Sequence, residues 1–225
     1  MNPSQILIAN LVAVLLATAV LGLAWSGRAS LCRSFTVFVG ASLVTNRLVV
    51  WWPATFFTYG AWAWKEAGYV VLQLAIALEL AVIGLAPFPR ARRLTLLAVT
   101  AVTTVTAVCA VTLPLPENTT QISVVLARAH TATLWAFAAL AFVVAWFHLP
   151  LDPFHRVILL GFVLDLSLYG ALLSVAGWAG HGTAAYRHLQ ALDPVLFAAT
   201  VGLWAIAAWH PRTAPVPNAL QEARP

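Results

Sequence analysis

The sequence predicts an all-α polytopic membrane protein, a single seven-transmembrane-helix bundle with its N-terminus outside and its C-terminus inside (N-out/C-in). Of the 225 residues, 62% are hydrophobic and only 8% are charged. Soluble domains carry about 25% charged residues, so a water-soluble fold could not cover its surface with this composition. Two further observations, the apolar stretches and the placement of the basic residues, give the number of helices and their orientation.

Seven stretches have about the 20 mostly apolar residues that a helix needs to cross a bilayer. The connections between them are short and rich in proline, which ends helices by removing a backbone donor. The predicted spans are residues 6–25, 35–52, 67–86, 94–113, 122–147, 157–178 and 192–209. These spans form one membrane domain over 1–210, and the proline-rich tail at 211–225 is predicted to be disordered and cytoplasmic.

The basic residues orient the bundle, because cytoplasmic loops carry an excess of Lys and Arg. With the N-terminus outside, the outer side receives only Lys65 and Arg187. The inner side receives eight arginines: Arg28, Arg33, Arg90, Arg92, Arg93, Arg156, Arg212 and Arg224. Most tryptophans fall at span ends, where indole rings prefer the headgroup level.

Several classes of function lack a signal in the sequence. The net charge of +5 is spread singly along the chain, whereas nucleic-acid binding needs a clustered basic face. Lys65 is the only lysine and precedes the third span, so a retinal pigment is not expected. No catalytic motif is present, and neither a metal nor a cofactor is predicted. The two cysteines are predicted to be unpaired thiols.

Ionisable side chains inside spans are costly, so each is a candidate for function. The candidates selected from the predicted spans are Arg47, Glu79, Arg128, His130 and Asp165. Glu79 and Asp165 are predicted to lie nearest the membrane centre. Because the second and third spans are neighbours, a charge pair between Arg47 and Glu79 is one predicted arrangement, and a neutral Glu79 bonded to a helix backbone is another. These groups indicate either a functional polar site or structural charge pairs, and the sequence leaves both open.

The third predicted helix carries polar residues that run from the outer loop toward the membrane centre. At 100° per residue, Lys65 and Glu79 share one face, and Glu66 and Gln73 share another. This pattern predicts an outward-opening polar pocket among the second, third, fifth and sixth spans. The predicted pocket residues are Arg47, Lys65, Glu66, Glu79, Arg128, His130 and Asp165.

The segment that joins the second and third spans carries the most distinctive motifs. It reads Trp52-Pro53, Phe57-Thr58-Tyr59, Trp64-Lys65-Glu66-Ala67 and then Ala77-Leu78-Glu79-Leu80-Ala81. These motifs resemble those of a group of uncharacterised bacterial seven-span proteins. The resemblance implies a bacterial inner (plasma) membrane location but brings no activity. It also implies signature positions, namely Trp52, Pro53, Lys65, Glu66 and Glu79. In topology, the chain also resembles the seven-span input domains of some bacterial kinases.

Three functions remain open from the sequence. The first is a non-enzymatic, receptor- or sensor-like protein that binds a small ligand in the outward-facing polar pocket. The second is a small proton-coupled transporter that uses Glu79 and Asp165. The third is an accessory or assembly subunit of a membrane complex. The expected partners are the lipid bilayer, a small molecule and another membrane protein, and no nucleic acid is expected.

Overall fold

The structure, a computed structural model, is helical over most of the residues that it describes. The described residues are 3–86, 88, 93, 97, 100, 121–149, 151–179 and 183–210, and these contain no β-strand. The predicted fourth span at 94–113 lies outside the described residues apart from Leu97 and Thr100. The predicted disordered tail at 211–225 also lies outside them.

Seven α-helices and one 3-10 turn form the described part of the chain. Six of the helices are long and apolar enough to cross a membrane, all except the short α3. The bounds are α1 Pro3–Trp25, α2 Arg33–Trp51, α3 Pro53–Phe56, α4 Tyr59–Gly84, α5 Gln121–Trp146, α6 Pro153–Ala179 and α7 Ala184–Trp209, with the 3-10 turn at Arg28–Ser30. The fold therefore has the all-α, multi-pass membrane character that the composition predicts.

Two helices begin eight residues before their predicted spans. Helix α4 starts at Tyr59, where the span was predicted from 67, and α7 starts at Ala184, where it was predicted from 192. A threonine caps each start: the hydroxyl of Thr58 accepts from the backbone N–H of Ala61, and that of Thr183 accepts from Tyr186, both at 3.3 Å. Residues 59–66 and 184–191, which lie outside the predicted spans, therefore belong to α4 and α7.

The six long helices pack in a closed ring. In order around the ring, the helices are α1, α2, α4, α5, α6 and α7, and α7 returns to α1. The first residues of α1, α4, α5 and α7 lie at one end of the bundle, which we call the first end. Helices α4 and α5 are parallel neighbours, since Glu66 and His130, each in the first half of its helix, approach within 3.2 Å.

An aromatic cluster fills the ring below the first end. Phe35, Phe162 and Trp204 have no exposed surface, and Phe38 is almost as deeply buried. The Trp204 ring centroid lies 4.8 Å from that of Phe162 and 5.3 Å from that of Phe35. Edge-to-face and offset ring contacts of this kind are favourable beyond the area that they bury. This cluster therefore forms a solid layer across the bundle.

The outer surface of the ring is apolar. Large side chains on several helices point outward, including Leu7, Leu21, Val71, Leu164 and Ile206. Exposed tryptophans lie at helix ends, including Trp25, Trp64 and Trp146. An apolar lateral surface bounded by indoles matches a protein surrounded by lipid.

Candidate functional site

A polar cavity of about 320 Å³ lies inside the ring near the first end. Residues from all six long helices line it, so it is enclosed laterally by protein. Four of the seven predicted pocket residues line it: Lys65, Glu66, His130 and Asp165. The other three, Arg47, Glu79 and Arg128, do not.

Glu66 is the centre of the cavity's polar contacts. Its Oε1 lies 2.8 Å from the Nζ of Lys65, and its Oε2 lies 3.2 Å from the Nε2 of His130. The Lys65 ammonium also lies 5.5 Å from the centroid of the Tyr69 ring. On the far side, the His130 ring meets the Tyr169 ring edge-to-face at 4.8 Å. These contacts hold the Glu66 carboxylate between a cation and an imidazole.

Three buried polar side chains of the cavity keep atoms without a hydrogen-bond partner in the described structure. They are the Oε1 of Gln73, the Oγ of Ser42 and the Nδ1 of His130. Gln73 is only 4% exposed and Ser42 only 2% exposed. An unpaired buried polar atom costs about 1–3 kcal/mol. The cavity therefore offers hydrogen-bonding groups that its own walls do not satisfy.

Two further carboxyl groups, those of Asp165 and Asp193, line the same cavity. Among the described residues, neither forms an ion pair within 4 Å with a basic side chain, in contrast to Glu66. Pro194, which follows Asp193 inside α7, removes one helical backbone donor at this depth. The cavity thus holds three carboxyl groups against one lysine and one histidine.

The aromatic layer closes the floor of the cavity. Phe38 lines the cavity and also contacts the Phe162 ring at 5.1 Å and the Trp204 ring at 6.1 Å. Because Phe162 and Trp204 are fully buried, the cavity does not continue through the described bundle toward the second end. The arrangement is a pocket with one closed end.

Arg47 has a structural position, and the predicted pair with Glu79 is wrong. Its Nη1 donates to the Oδ1 of Asn10 at 3.0 Å, and its Nη2 donates to the backbone oxygen of Ala9 at 2.8 Å. It also donates to the side chain of its neighbour Asn46 at 2.7 Å. The guanidinium is satisfied by neutral oxygens and joins α2 to α1.

Glu79 lies at the second end of the bundle, although the sequence placed it near the membrane centre. The reason is that α4 starts early, at Tyr59, so that the middle of the helix falls well before Glu79, which is only five residues before the last residue, Gly84. Its carboxylate accepts from the backbone N–H groups of Arg33 at 2.9 Å and Ser34 at 2.8 Å. These are free N–H groups of the first turn of α2, so Glu79 caps the neighbouring helix.

Cys32 precedes that capped turn and is a free, fully buried thiol. Its Sγ lies 3.4 Å from the Oε2 of Glu79. Burial, together with the nearby Glu79 carboxylate, raises the pKa of the Cys32 thiol to about 12. The unpaired state predicted for this cysteine is therefore present, whereas Cys109 lies outside the described residues.

Arg128 lies on α5 beside a different, shallow surface depression with Ala127, Thr131 and Trp135.

The two carboxyl groups that the transporter hypothesis uses are far apart in the bundle, because Asp165 lines the cavity and Glu79 caps α2 at the second end. The part of the chain that the structure describes contains no group of three or more His, Cys, Asp or Glu side chains placed to hold a metal ion.

Sequence reasoning missed Asp193 and Tyr169, both of which line the cavity. Asp193 stands at the start of a stretch predicted as an apolar span and was not counted with the ionisable residues. An acidic residue directly before a proline, inside a predicted apolar span, was the sequence signal that could have identified Asp193 as a candidate. No comparable signal marks Tyr169, whose role depends on its contact with His130.

No protein-family model, curated protein or solved structure matches the chain. The fold and the cavity define it as a multi-pass, all-α membrane protein with an enclosed polar pocket.

Proposed function

We propose that this protein is a non-enzymatic, receptor- or sensor-like membrane protein that binds a small ligand in the polar cavity. One observation carries the proposal: charged and polar side chains from separate helices converge on one laterally enclosed cavity near the first end. Ligand pockets are typically concave sites of about 300–1,000 Å³ with a few placed polar groups, and the cavity fits that description.

The unsatisfied polar atoms support binding over a purely structural role. A structural polar cluster satisfies its own hydrogen bonds, because each buried unpaired group is costly. Here the Oε1 of Gln73 and the Oγ of Ser42 are left without partners at the cavity wall. A ligand or ordered water that occupies the cavity would complete them.

The closed floor favours sensing over transport. A carrier needs a route to the second end, but the layer of Phe38, Phe162 and Trp204 blocks it. The accessory-subunit alternative predicts a bundle without an internal pocket, so the cavity counts against it as well.

The proposal includes the seven-span, N-out orientation. Helix α4 ends at the second end and α5 begins at the first end, which supports a further span in the sequence between them, at the predicted stretch 94–113. Among the described basic residues, Arg28, Arg33 and Arg156 lie at the second end, whereas Arg47, Lys65, Arg128 and Arg187 lie toward the first end. The proposed orientation therefore rests on the whole sequence, in which the predicted inner loops and tail carry eight arginines; with this orientation the second end would face the cytoplasm and the cavity would open to the outside.

A set of three isosteric probes tests the function without assuming a ligand charge. The probes are choline, neutral 3,3-dimethylbutan-1-ol and anionic 3,3-dimethylbutyrate, each titrated while the melting temperature of the detergent-purified protein is measured. We expect a saturable rise with at least one probe, since binding to the folded state alone stabilises it. No saturable rise with any of the three would contradict the proposal.

Matched glutamine variants show whether a rise comes from the cavity. Gln73→Leu removes the unpartnered cavity amide and should abolish the rise. Gln190→Leu makes the same change at an exposed position of α7 and should leave it intact. An equal rise in both variants would place the binding elsewhere.

A further inference from the structure

We infer that the ligand of the cavity is a small organic ammonium ion, an inference that rests on the proposed function and adds the ligand class. The geometry that points to it is a set of carboxyl groups and aromatic rings around one space. The carboxyl groups are those of Glu66, Asp165 and Asp193, and the rings are those of Phe38, Tyr69, Tyr169 and Phe197.

The cavity walls carry more acidic than basic side chains, so a bound cation would meet unpaired carboxyl groups. Glu66 is already paired with Lys65 at 2.8 Å and lies beside His130. Asp165 and Asp193 have no basic side chain within 4 Å among the described residues. In a laterally enclosed cavity, a carboxyl group without a cationic partner is costly to ionise, and a bound cation removes that cost.

The aromatic rings select an organic cation over a bare metal ion. The face of an aromatic ring attracts ammonium groups, and cages of several rings recognise alkylated ammonium ions. Metal cations of the Ca²⁺ or Mg²⁺ type instead need about six oxygen ligands arranged around one point. A cavity lined by four rings and by two carboxyl groups that have no basic partner within 4 Å among the described residues fits the first chemistry better.

The buried acceptor of Gln73 gives an independent sign of a ligand. Its Oε1 is a hydrogen-bond acceptor, is buried and has no donor within the described structure. An ammonium N–H group or a hydroxyl on the ligand would supply that donor. The nearby Oγ of Ser42 offers a second such contact.

The three isosteric probes also separate this inference from the proposed function. We expect choline to bind at least tenfold more tightly than neutral 3,3-dimethylbutan-1-ol, and 3,3-dimethylbutyrate not to bind. Potassium chloride at equal ionic strength should not stabilise the protein. If the neutral or anionic probe binds as tightly as choline and Gln73→Leu abolishes that binding, the function stands and the inference fails. If no probe binds, both fail.

Variants in the cavity test the two kinds of recognition separately. Asp193→Asn removes one free carboxyl group with little change of shape and should weaken choline binding at least tenfold, whereas Glu79→Gln at the second end should not change it. Tyr69→Phe keeps the ring and should retain binding, whereas Tyr69→Leu should weaken it severalfold. Unchanged choline affinity in both Asp193→Asn and Tyr69→Leu, with each variant folded, would overturn the inference.

Discussion

At the scale of single residues, glycine decides how closely two helices approach. A Cβ added to Gly161 on α6 would lie 2.4 Å from the Nε1 of Trp204, far inside van der Waals contact. The Trp204 indole is fully buried in the aromatic layer and has no free space to move into. The absence of a side chain at 161 therefore allows α6 and α7 to enclose the indole.

Gly161→Ala should lower the free energy of unfolding by about 1–3 kcal/mol, because it overpacks the aromatic layer. Gly202→Ala on α7 is the matched control, since its added Cβ would have no neighbour within 4 Å. Because alanine has a better helix propensity than glycine, Gly202→Ala should leave the free energy of unfolding unchanged or raise it by up to about 1 kcal/mol. Unfolding in mixed micelles measures both, and equal effects would contradict the described packing.

Cys32 gives a second test at the residue scale. Because its pKa is raised to about 12, the thiol stays protonated from pH 7 to pH 9 in the folded protein. In a Cys109→Ser background, maleimide should label Cys32 slowly in the native state and rapidly after denaturation in SDS. Rapid native labelling at pH 8 would show that the thiol is neither buried nor protonated.

At the scale of helices, Arg47 and Glu79 fix opposite ends of α2. Arg47 ties its last turns to α1, and Glu79 caps its first turn from α4. Arg33, which Glu79 contacts, lies 14 residues before Arg47, or about 20 Å along a helix. The two side chains act on one helix without touching each other.

Arg47→Ala and Glu79→Gln should therefore each lower stability by about 1–2 kcal/mol through lost hydrogen bonds. Their effects should add to within about 0.5 kcal/mol in the double variant, because the sites share no partner. A double-mutant cycle measured by unfolding in mixed micelles checks this. A coupling well above that limit would restore the direct pair that the sequence suggested.

The helix ends also show how far sequence reasoning reaches. Four of the six observed long helices begin and end within about four residues of their predicted spans, because apolar runs and prolines mark them. The starts of α4 and α7 were missed, since their first turns carry Trp, Lys, Glu and His residues typical of loops. The missed start of α4 left Lys65 and Glu66 outside the predicted span and put the predicted centre of that span too close to Glu79. Asp193 lay inside its predicted span but was not counted with the ionisable residues.

At the scale of the whole molecule, the site depends on the ring of helices more than on any motif. Lys65 and Glu66 were selected from the polar pattern next to the third predicted span, and both lie on one continuous helix, α4, where they line the cavity. Their meeting with His130, Asp165 and Asp193 requires the order in which the helices pack, and periodicity along one helix carries no such information. The apolar outer surface, in contrast, follows directly from composition.

The proposed function requires a polar cavity that opens at the first end, on the proposed outer side, and is closed below. Val49 lines this cavity, whereas Val71 faces outward from α4 and is 65% exposed on the lipid-facing surface. A cysteine is introduced at either position in a Cys109→Ser background. The measurement is its rate of reaction with a membrane-impermeant methanethiosulfonate, added to one side of oriented vesicles.

The account predicts that Val49→Cys reacts from the outside only and that choline slows the reaction. Val71→Cys should stay unreactive, because lipid excludes the reagent. Reaction of Val49→Cys from the cytoplasmic side, or no reaction from either side while the variant remains folded, would contradict the account.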